Sequence, residues 1–165
     1  MKKSKKRVMF VTYSAVIAAL YVVLTMLSSM MGLSSGVIQV RFSEALTILP
    51  FFTPAAIPGL FIGCLISNLL SGSIVIDVIF GSLATLIGAV FTYLLRKLSP
   101  VIAPLPPIMA NTIIIPFVLK FAYCFDDALW FMFITVFAGE FISCGVFGLI
   151  LLFAIRKHSS EIFRV

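Results

Sequence analysis

The chain has 165 residues, 62% of them hydrophobic and 11% charged, with a net charge of +6 and a mean hydropathy of +1.22. Soluble domains carry about 25% charged residues, so too few polar residues remain here to coat a water-facing surface, and a soluble globular domain is excluded. Six bilayer spans of about 20 residues with short turns use almost the whole chain, which predicts one all-α membrane domain over residues 8–157.

Residues 1–7 form a basic segment with Lys2, Lys3, Lys5, Lys6 and Arg7. Such a block suits nucleic acid or a membrane surface, but it abuts the apolar run that starts at Val8 and reads as a cytoplasmic topology anchor. The first span is expected over residues 8–31. That run is too long for a signal-peptide core and is not followed by an A-x-A cleavage pattern, so it is read as a retained span. A loop with Gly32, Ser34, Ser35 and Gly36 follows.

The stretch 43–70 is apolar but interrupted by Pro50, Pro54 and Pro58. Proline removes a backbone donor and disfavours helix in the preceding residue, so a turn is expected around Thr53–Ala56, at the Thr53–Pro54 step. Further spans are expected over 75–95, 104–122 and 128–155, with Pro100, Pro104, Pro106 and Pro107 in the gap before the fifth. The tail is residues 158–165, with His158 solvated.

Charge distribution decides how the 43–70 stretch is read. If it is split, ten of the twelve Lys and Arg residues fall on the cytoplasmic side: the five near the N-terminus, Arg96, Lys97, Arg156, Lys157 and Arg164. Only Arg41 and Lys120 fall outside. Left whole, the stretch gives six on each side. The positive-inside bias favours the split, hence six transmembrane helices with both termini cytoplasmic and a short second helix.

Polar residues at membrane depth are costly and face a cavity or a partner. Gln39, Arg41 and Glu44 belong to the outer loop and the start of the second helix. Asn68 and Asp77 flank the next outer turn. Lys120, Tyr123, Asp126 and Asp127 flank the last. These groups are expected to converge on one external mouth. Asn111 and Glu140 each lie roughly 17 Å below that side at 1.5 Å per residue, on consecutive antiparallel helices, so they are placed to meet.

Plainer readings stand beside these. Arg41 and Glu44 are spaced to pair with each other. Asp77, Asp126 and Asp127 suit helix caps, and Asn68 a C-terminal cap. Tyr123 and Trp130 suit the interfacial aromatic belt. Cys64, Cys124 and Cys144 show no disulfide or metal spacing and read as small packing residues. Ala15 with Ala19, Gly59 with Gly63, and Ala84 with Gly88 have the spacing that lets membrane helices approach closely, for internal packing or for a partner.

The chain contains neither G-x-x-x-x-G-K-[ST], H-E-x-x-H nor C-x-x-C, so it offers no ATP loop and no metal motif. A solute-binding subunit without cofactor or metal is the leading expectation. A membrane enzyme with Glu140 and Asp77 as acid and base, or a purely structural bundle, are the alternatives.

The segments IQVRFSEALTILPFFTPAAIPGLFIGCLISNLLSG, IDVIFGSLATLIGA, NTIIIPFVLKFAY and AGEFISCG resemble the QueT family, substrate-binding S components of energy-coupling factor (ECF) transporters. The resemblance implies a six-helix S component that captures queuosine precursors, which are 7-deazaguanine bases, from outside. It also implies a membrane T subunit and two ATPase subunits as partners, with the A-x-x-x-A pair Ala15 and Ala19 turned toward the T subunit. The site implied comprises Gln39, Arg41, Glu44, Asn68, Asp77, Asn111, Tyr123 and Glu140. Another vitamin-like heterocycle remains the rival substrate.

Overall fold

The computed structural model describes residues 2–34 and 37–162. Ser35 and Gly36 of the expected loop, Arg164 of the expected tail, and the side chains of Lys2 and Lys3 lie outside the described residues. The described residues form helices joined by short connectors: α1 (Lys2–Met30), a 3-10 segment (Phe42–Phe51), α2 (Ala56–Leu70), α3 (Val75–Leu95), α4 (Leu105–Phe121) and α5 (Leu129–Arg156). A 3-10 turn at Pro100–Ile102 precedes α4, and one last helical turn spans Ser159–Ile162. Four helices, including α1, α3 and α5, are long and apolar enough to cross a bilayer; the 3-10 segment and α2 are shorter.

The chain leaves helix after Phe51 and resumes at Ala56, which places the break at the expected proline step. What comes before it is not an α-helix. Ten residues of 3-10 winding are long for that conformation, and the cause is local. Pro50 sits inside the segment and has no N–H to give. Thr47 Oγ1 donates back three residues to the Glu44 carbonyl at 2.6 Å. The tighter helix also gains length. At about 2.0 Å per residue, ten residues cover roughly 20 Å, against roughly 15 Å as α-helix. That span is needed: Phe42 N–H donates to Ser28 Oγ at 2.8 Å, while Ser14 Oγ donates to the Ala55 carbonyl at 2.8 Å. Those two α1 residues are roughly 21 Å apart along the helix axis.

The 3-10 segment runs down the middle of the bundle, against α1, α2, α3 and the second half of α5. Ile48, Leu49 and Pro50 are buried, and Leu60, Ala89 and Leu152 close around them. Around this centre α1 packs on α2, α2 on α3, α3 on α4 and α4 on α5. The small-residue pairs set the closest approaches. A Cβ at Gly59 would lie 2.7 Å from the Ser14 carbonyl oxygen, and one at Gly63 would lie 2.8 Å from Tyr21 Cβ. One at Gly88 would lie 2.7 Å from Pro107 Cα, and Ala84 is fully buried. These two pairs therefore serve internal packing.

Ala15 and Ala19 behave differently. Both are exposed, on a face of α1 that also carries Val8, Val16 and Leu20. Large apolar side chains face outward on the other helices as well, among them Leu94, Phe117 and Ile150. Such a surface is stable in lipid and not in water, so the chain is a membrane protein.

The direction of each helix sorts the connectors into two ends. The ends of α1, α2 and α4 meet the starts of the 3-10 segment, α3 and α5. At the opposite end lie the start of α1, the Arg96–Lys97 turn and Arg156–Lys157, where Tyr13 Oη donates to the Ile162 carbonyl at 2.7 Å.

Candidate functional site

A cavity of about 340 Å³ opens among the connectors at the end away from the basic clusters. It is of ligand size, since ligand pockets run from roughly 300 to 1,000 Å³. Gln39, Arg41 and Glu44 line it from the first connector and the 3-10 segment, Asn68 from α2 and Asp77 from α3. Asn111 lines it from α4, Tyr123 from the connector that follows and Glu140 from α5. The structure thus brings together all eight residues singled out in the sequence.

The rim is held by Asp77 and Tyr123. Tyr123 Oη donates to Asp77 Oδ2 at 2.9 Å and accepts from Ile74 N–H at 3.4 Å. Burial, followed by the neighbouring Asp77 carboxylate, pushes the Tyr123 phenol up from its ordinary range, so it stays a donor at neutral pH. Asp77 is therefore not a cap: the α3 N-cap residue is Ile74, without a side-chain cap bond. Tyr123 is not a belt residue either, whereas Trp130 is 66% exposed and lies away from the cavity lining.

The side walls come from Arg41 and Asn68. Arg41 Nη1 donates to Asn68 Oδ1 at 3.4 Å, and Asn68 Nδ2 points to Cys64 Sγ at 3.6 Å. Asn68 is thus a buried wall residue and not a side-chain cap. Arg41 also presents its backbone N–H to Ser143 Oγ at 3.1 Å, which ties the first connector to α5. Arg41 and Glu44, spaced to pair, hydrogen-bond separate partners instead, Asn68 and Tyr21.

The floor is acidic. Tyr21 Oη donates to Glu44 Oε1 from α1, while Glu44 Oε2 is buried without a hydrogen-bond partner. Cys144 Sγ donates to Glu140 Oε2 at 3.2 Å, and Asn111 stands near the same carboxyl group, at the matched depth expected of it. Glu140 ends the first α-helical part of α5, which resumes at Gly148. Residues Phe141–Phe147 wind as a π-helix, a form that recurs at functional sites. Cys64 and Cys144 are thus hydrogen-bonded members of the site and more than packing residues. Cys124 is exposed in a left-handed turn with φ 55°, its Sγ donating to the Phe121 carbonyl at 3.9 Å.

At the remaining outer turn, Lys120 Nζ donates to the carbonyls of Phe125 and Asp127, both at 3.1 Å. Asp126 and Asp127 form no side-chain cap for α5, whose N-cap is Ala128; they contribute charge near the helix start and exposed carboxylates.

Sequence reasoning missed Tyr21 and Cys144. Tyr21 sits near the middle of the first span, where an aromatic hydroxyl is far from any interface and needs a partner. Cys144 follows Glu140 by four residues, one helical turn away. Glu44, Glu140 and Cys144 hold ligand atoms within 4.8 Å of one another. Three donors fall one short of a closed zinc site, and the thiol is engaged with Glu140. The arrangement is better suited to receiving N–H donors: two carboxyl groups on the floor, amides and a guanidinium on the walls, a phenol ring at the rim.

No solved structure matches this chain. A stretch of 91 residues is 47% identical to the queuosine precursor transporter QueT of Lactococcus lactis subsp. cremoris (strain MG1363), covering 53% of this chain and 50% of that protein. The family model described as QueT transporter matches residues 11–157, a range that takes in every residue of the cavity lining, and the chain belongs to that transporter family.

Proposed function

We propose that the protein is the substrate-binding S component of an ECF-type importer and captures a queuosine precursor, a 7-deazaguanine base, in the cavity described above. One observation carries the reading: eight polar side chains from separate elements meet in one ligand-sized cavity of a chain that is otherwise apolar. Such groups at membrane depth are kept for a ligand. A 7-deazaguanine presents adjacent N–H donors on its pyrimidine edge, which a carboxylate accepts in parallel. Glu44 and Glu140 supply that acceptor. Asn111, Asn68, Gln39 and Arg41 supply donors for the ring carbonyl, and Tyr123 supplies a flat face.

Six spans with both termini cytoplasmic put the cavity outside. The basic residues at the opposite end support this orientation through the positive-inside bias. Membership of a transporter family favours transport over the membrane-enzyme alternative, and Asp77 and Glu140 are engaged by different partners, Tyr123 and Cys144. Titration of the purified chain with a 7-deazaguanine base tests the reading: one equivalent is expected to bind, and absence of binding overturns it. Binding of a different heterocycle in its place would keep the S component and change its cargo.

The chain has no P-loop, so energy must come from partners, a T subunit and two ATPases. The exposed Ala15–Ala19 face of α1 is the docking surface in this reading. Ala15→Leu combined with Ala19→Leu is expected to leave ligand affinity within about twofold of the unaltered protein, because neither residue lines the cavity, while abolishing uptake by whole cells through bulk added at a close helix contact. Normal uptake by that double variant would remove the docking face.

A further inference from the structure

The wall formed by α3 and α4 has two faces. One faces the cavity, with Asp77 and Gly81 from α3 and Asn111, Ile115 and Leu119 from α4. The other opens outward as a groove of about 390 Å³. Ile76 and Phe80 line the groove from α3, and Ile113, Phe117 and Phe121 from α4, at the four-residue spacing that keeps them on one helix face. Ala122, just past the end of α4, lines the part nearest the cavity mouth. Phe117 and Phe121 stack with ring centroids 6.3 Å apart, and Phe133 of α5 meets Phe117 edge-on at 5.7 Å.

This groove calls for an apolar occupant of extended shape. From Ile113 to Ala122 it follows α4 for roughly 14 Å, at 1.5 Å per residue. Its lining residues are all apolar, and Ile76, Phe80, Ile113 and Phe121 are about half-exposed or more. It is continuous with the outward-facing apolar surface on which the chain meets lipid. Both α3, and α4 with the turn before it, are long and apolar enough to cross a bilayer, so hydrocarbon stands against this face. Left unfilled, a slot of this size would draw the two helix ends together, because packed protein does not keep such voids.

The same helix ends hold the rim of the cavity. Ile76 precedes Asp77 and Ala122 precedes Tyr123, whose Oη donates to Asp77 Oδ2 at 2.9 Å. Pro116 inside α4 removes one backbone hydrogen bond, so the stretch after it can bend against the first half of the helix. That stretch turns Phe117 and Phe121 to the groove and leads into Tyr123. We propose that the groove between α3 and α4 binds one acyl chain of a membrane lipid, and that the chain, wedged behind the rim, holds the two helix ends at the spacing where Tyr123 meets Asp77. Its effect on the ligand rests on reading the cavity as a deazaguanine site; the groove itself does not.

Two measurements test it. In the first, the full chain is placed in phosphatidylcholine bilayers that include a phosphatidylcholine with a diazirine in its acyl chain, illuminated, and mapped by mass spectrometry. Residues 113–122 are expected to carry at least about threefold more label than the exposed stretch around Ile150 of α5, since a preformed slot retains a chain that a convex face releases. Ala122→Phe, which puts a ring into the slot, should bring the two stretches level. Equal labelling in the unaltered protein overturns the acyl-chain site. Weak labelling together with a dimer in the same bilayers overturns it in favour of a second copy.

The second measurement is calorimetric titration of 7-deazaguanine into the full chain held in a fluorinated surfactant, whose tails mix poorly with hydrocarbon, while phosphatidylcholine is added stepwise. Affinity should rise at least about fivefold and then level off, the lower edge of ordinary coupling between two sites. Ala122→Phe should stay within about twofold throughout, because its groove is already filled. No rise in the unaltered protein, or an equal rise in the variant, overturns the wedge. Failure of the base to bind at any lipid level overturns the deazaguanine reading, and the labelling then decides the groove by itself. The labelling of the unaltered protein stands even where the variant fails to fold.

Discussion

Glu140→Gln is expected to weaken binding of the deazaguanine base by roughly 2 kcal/mol or more, about thirtyfold in Kd, from the loss of a charge-assisted acceptor. The change keeps the shape of the side chain and removes its charge. It also puts an amide N–H₂ where a second acceptor oxygen stood. That amide meets Cys144, which now hydrogen-bonds the carboxyl group, and lies near Asn111, so one position of the floor turns from acceptor to donor. A ligand N–H arriving there finds another N–H. Calorimetric titration of the purified variant measures the effect directly, and an affinity equal to that of the unaltered protein would move the site away from α5. Asn111→Ala should be milder, since it removes a donor that positions the carboxylate and leaves the charge in place.

The same region shows how far residues alone lead. Asn111 and Glu140 meet because two apolar helices joined by a short turn are antiparallel, and equal counts from the turn give equal depth. Prolines located the break before α2 because their effect on the backbone is local. The side chains with charge or amide groups converged because facing lipid is costly for them and a shared cavity relieves that cost. What remained hidden was chemistry carried by ordinary-looking residues. Tyr21 reads as one more aromatic in an apolar span until its hydroxyl is seen on Glu44. Ser28 and Ser143 read as small helix residues, yet they receive the backbone N–H groups of Phe42 and Arg41 and so fix where the first connector enters the bundle. Helix type was equally hidden. Hydrophobic periodicity cannot separate α, 3-10 and π winding where nearly every residue is apolar. The π-helical stretch after Glu140 and the 3-10 segment after Arg41 follow instead from tertiary packing and from Pro50. Asp77 was ambiguous for another reason: a carboxylate near a helix start suits a cap or a partner across the bundle, and only the position of Tyr123 decides.

Gly139→Ala is expected to damage the site as severely as loss of a binding group, although Gly139 presents no side chain to the ligand. A Cβ there would lie 2.1 Å from the Gln39 carbonyl oxygen and 3.2 Å from its carbonyl carbon. Both are backbone atoms, so no side-chain rotation relieves the clash. Either α5 or the first connector has to move. The connector carries Gln39 and Arg41 into the cavity, and Arg41 N–H is tied to Ser143 one turn below Gly139. On the other side of the contact, Glu140 is the next residue. A shift large enough to admit one methyl group therefore separates the walls from the floor. Overpacking of this kind costs about 1–3 kcal/mol, and here the displaced atoms are those that shape the site. Affinity for the base should fall at least about tenfold, with the variant still folded by circular dichroism. Gly145→Ala provides the comparison within the same helix. Its Cβ would meet Phe141 Cδ2 at 3.5 Å, an ordinary contact, and binding should stay within about twofold. Equal affinities for the two variants would mean that the Gln39 connector does not govern the cavity.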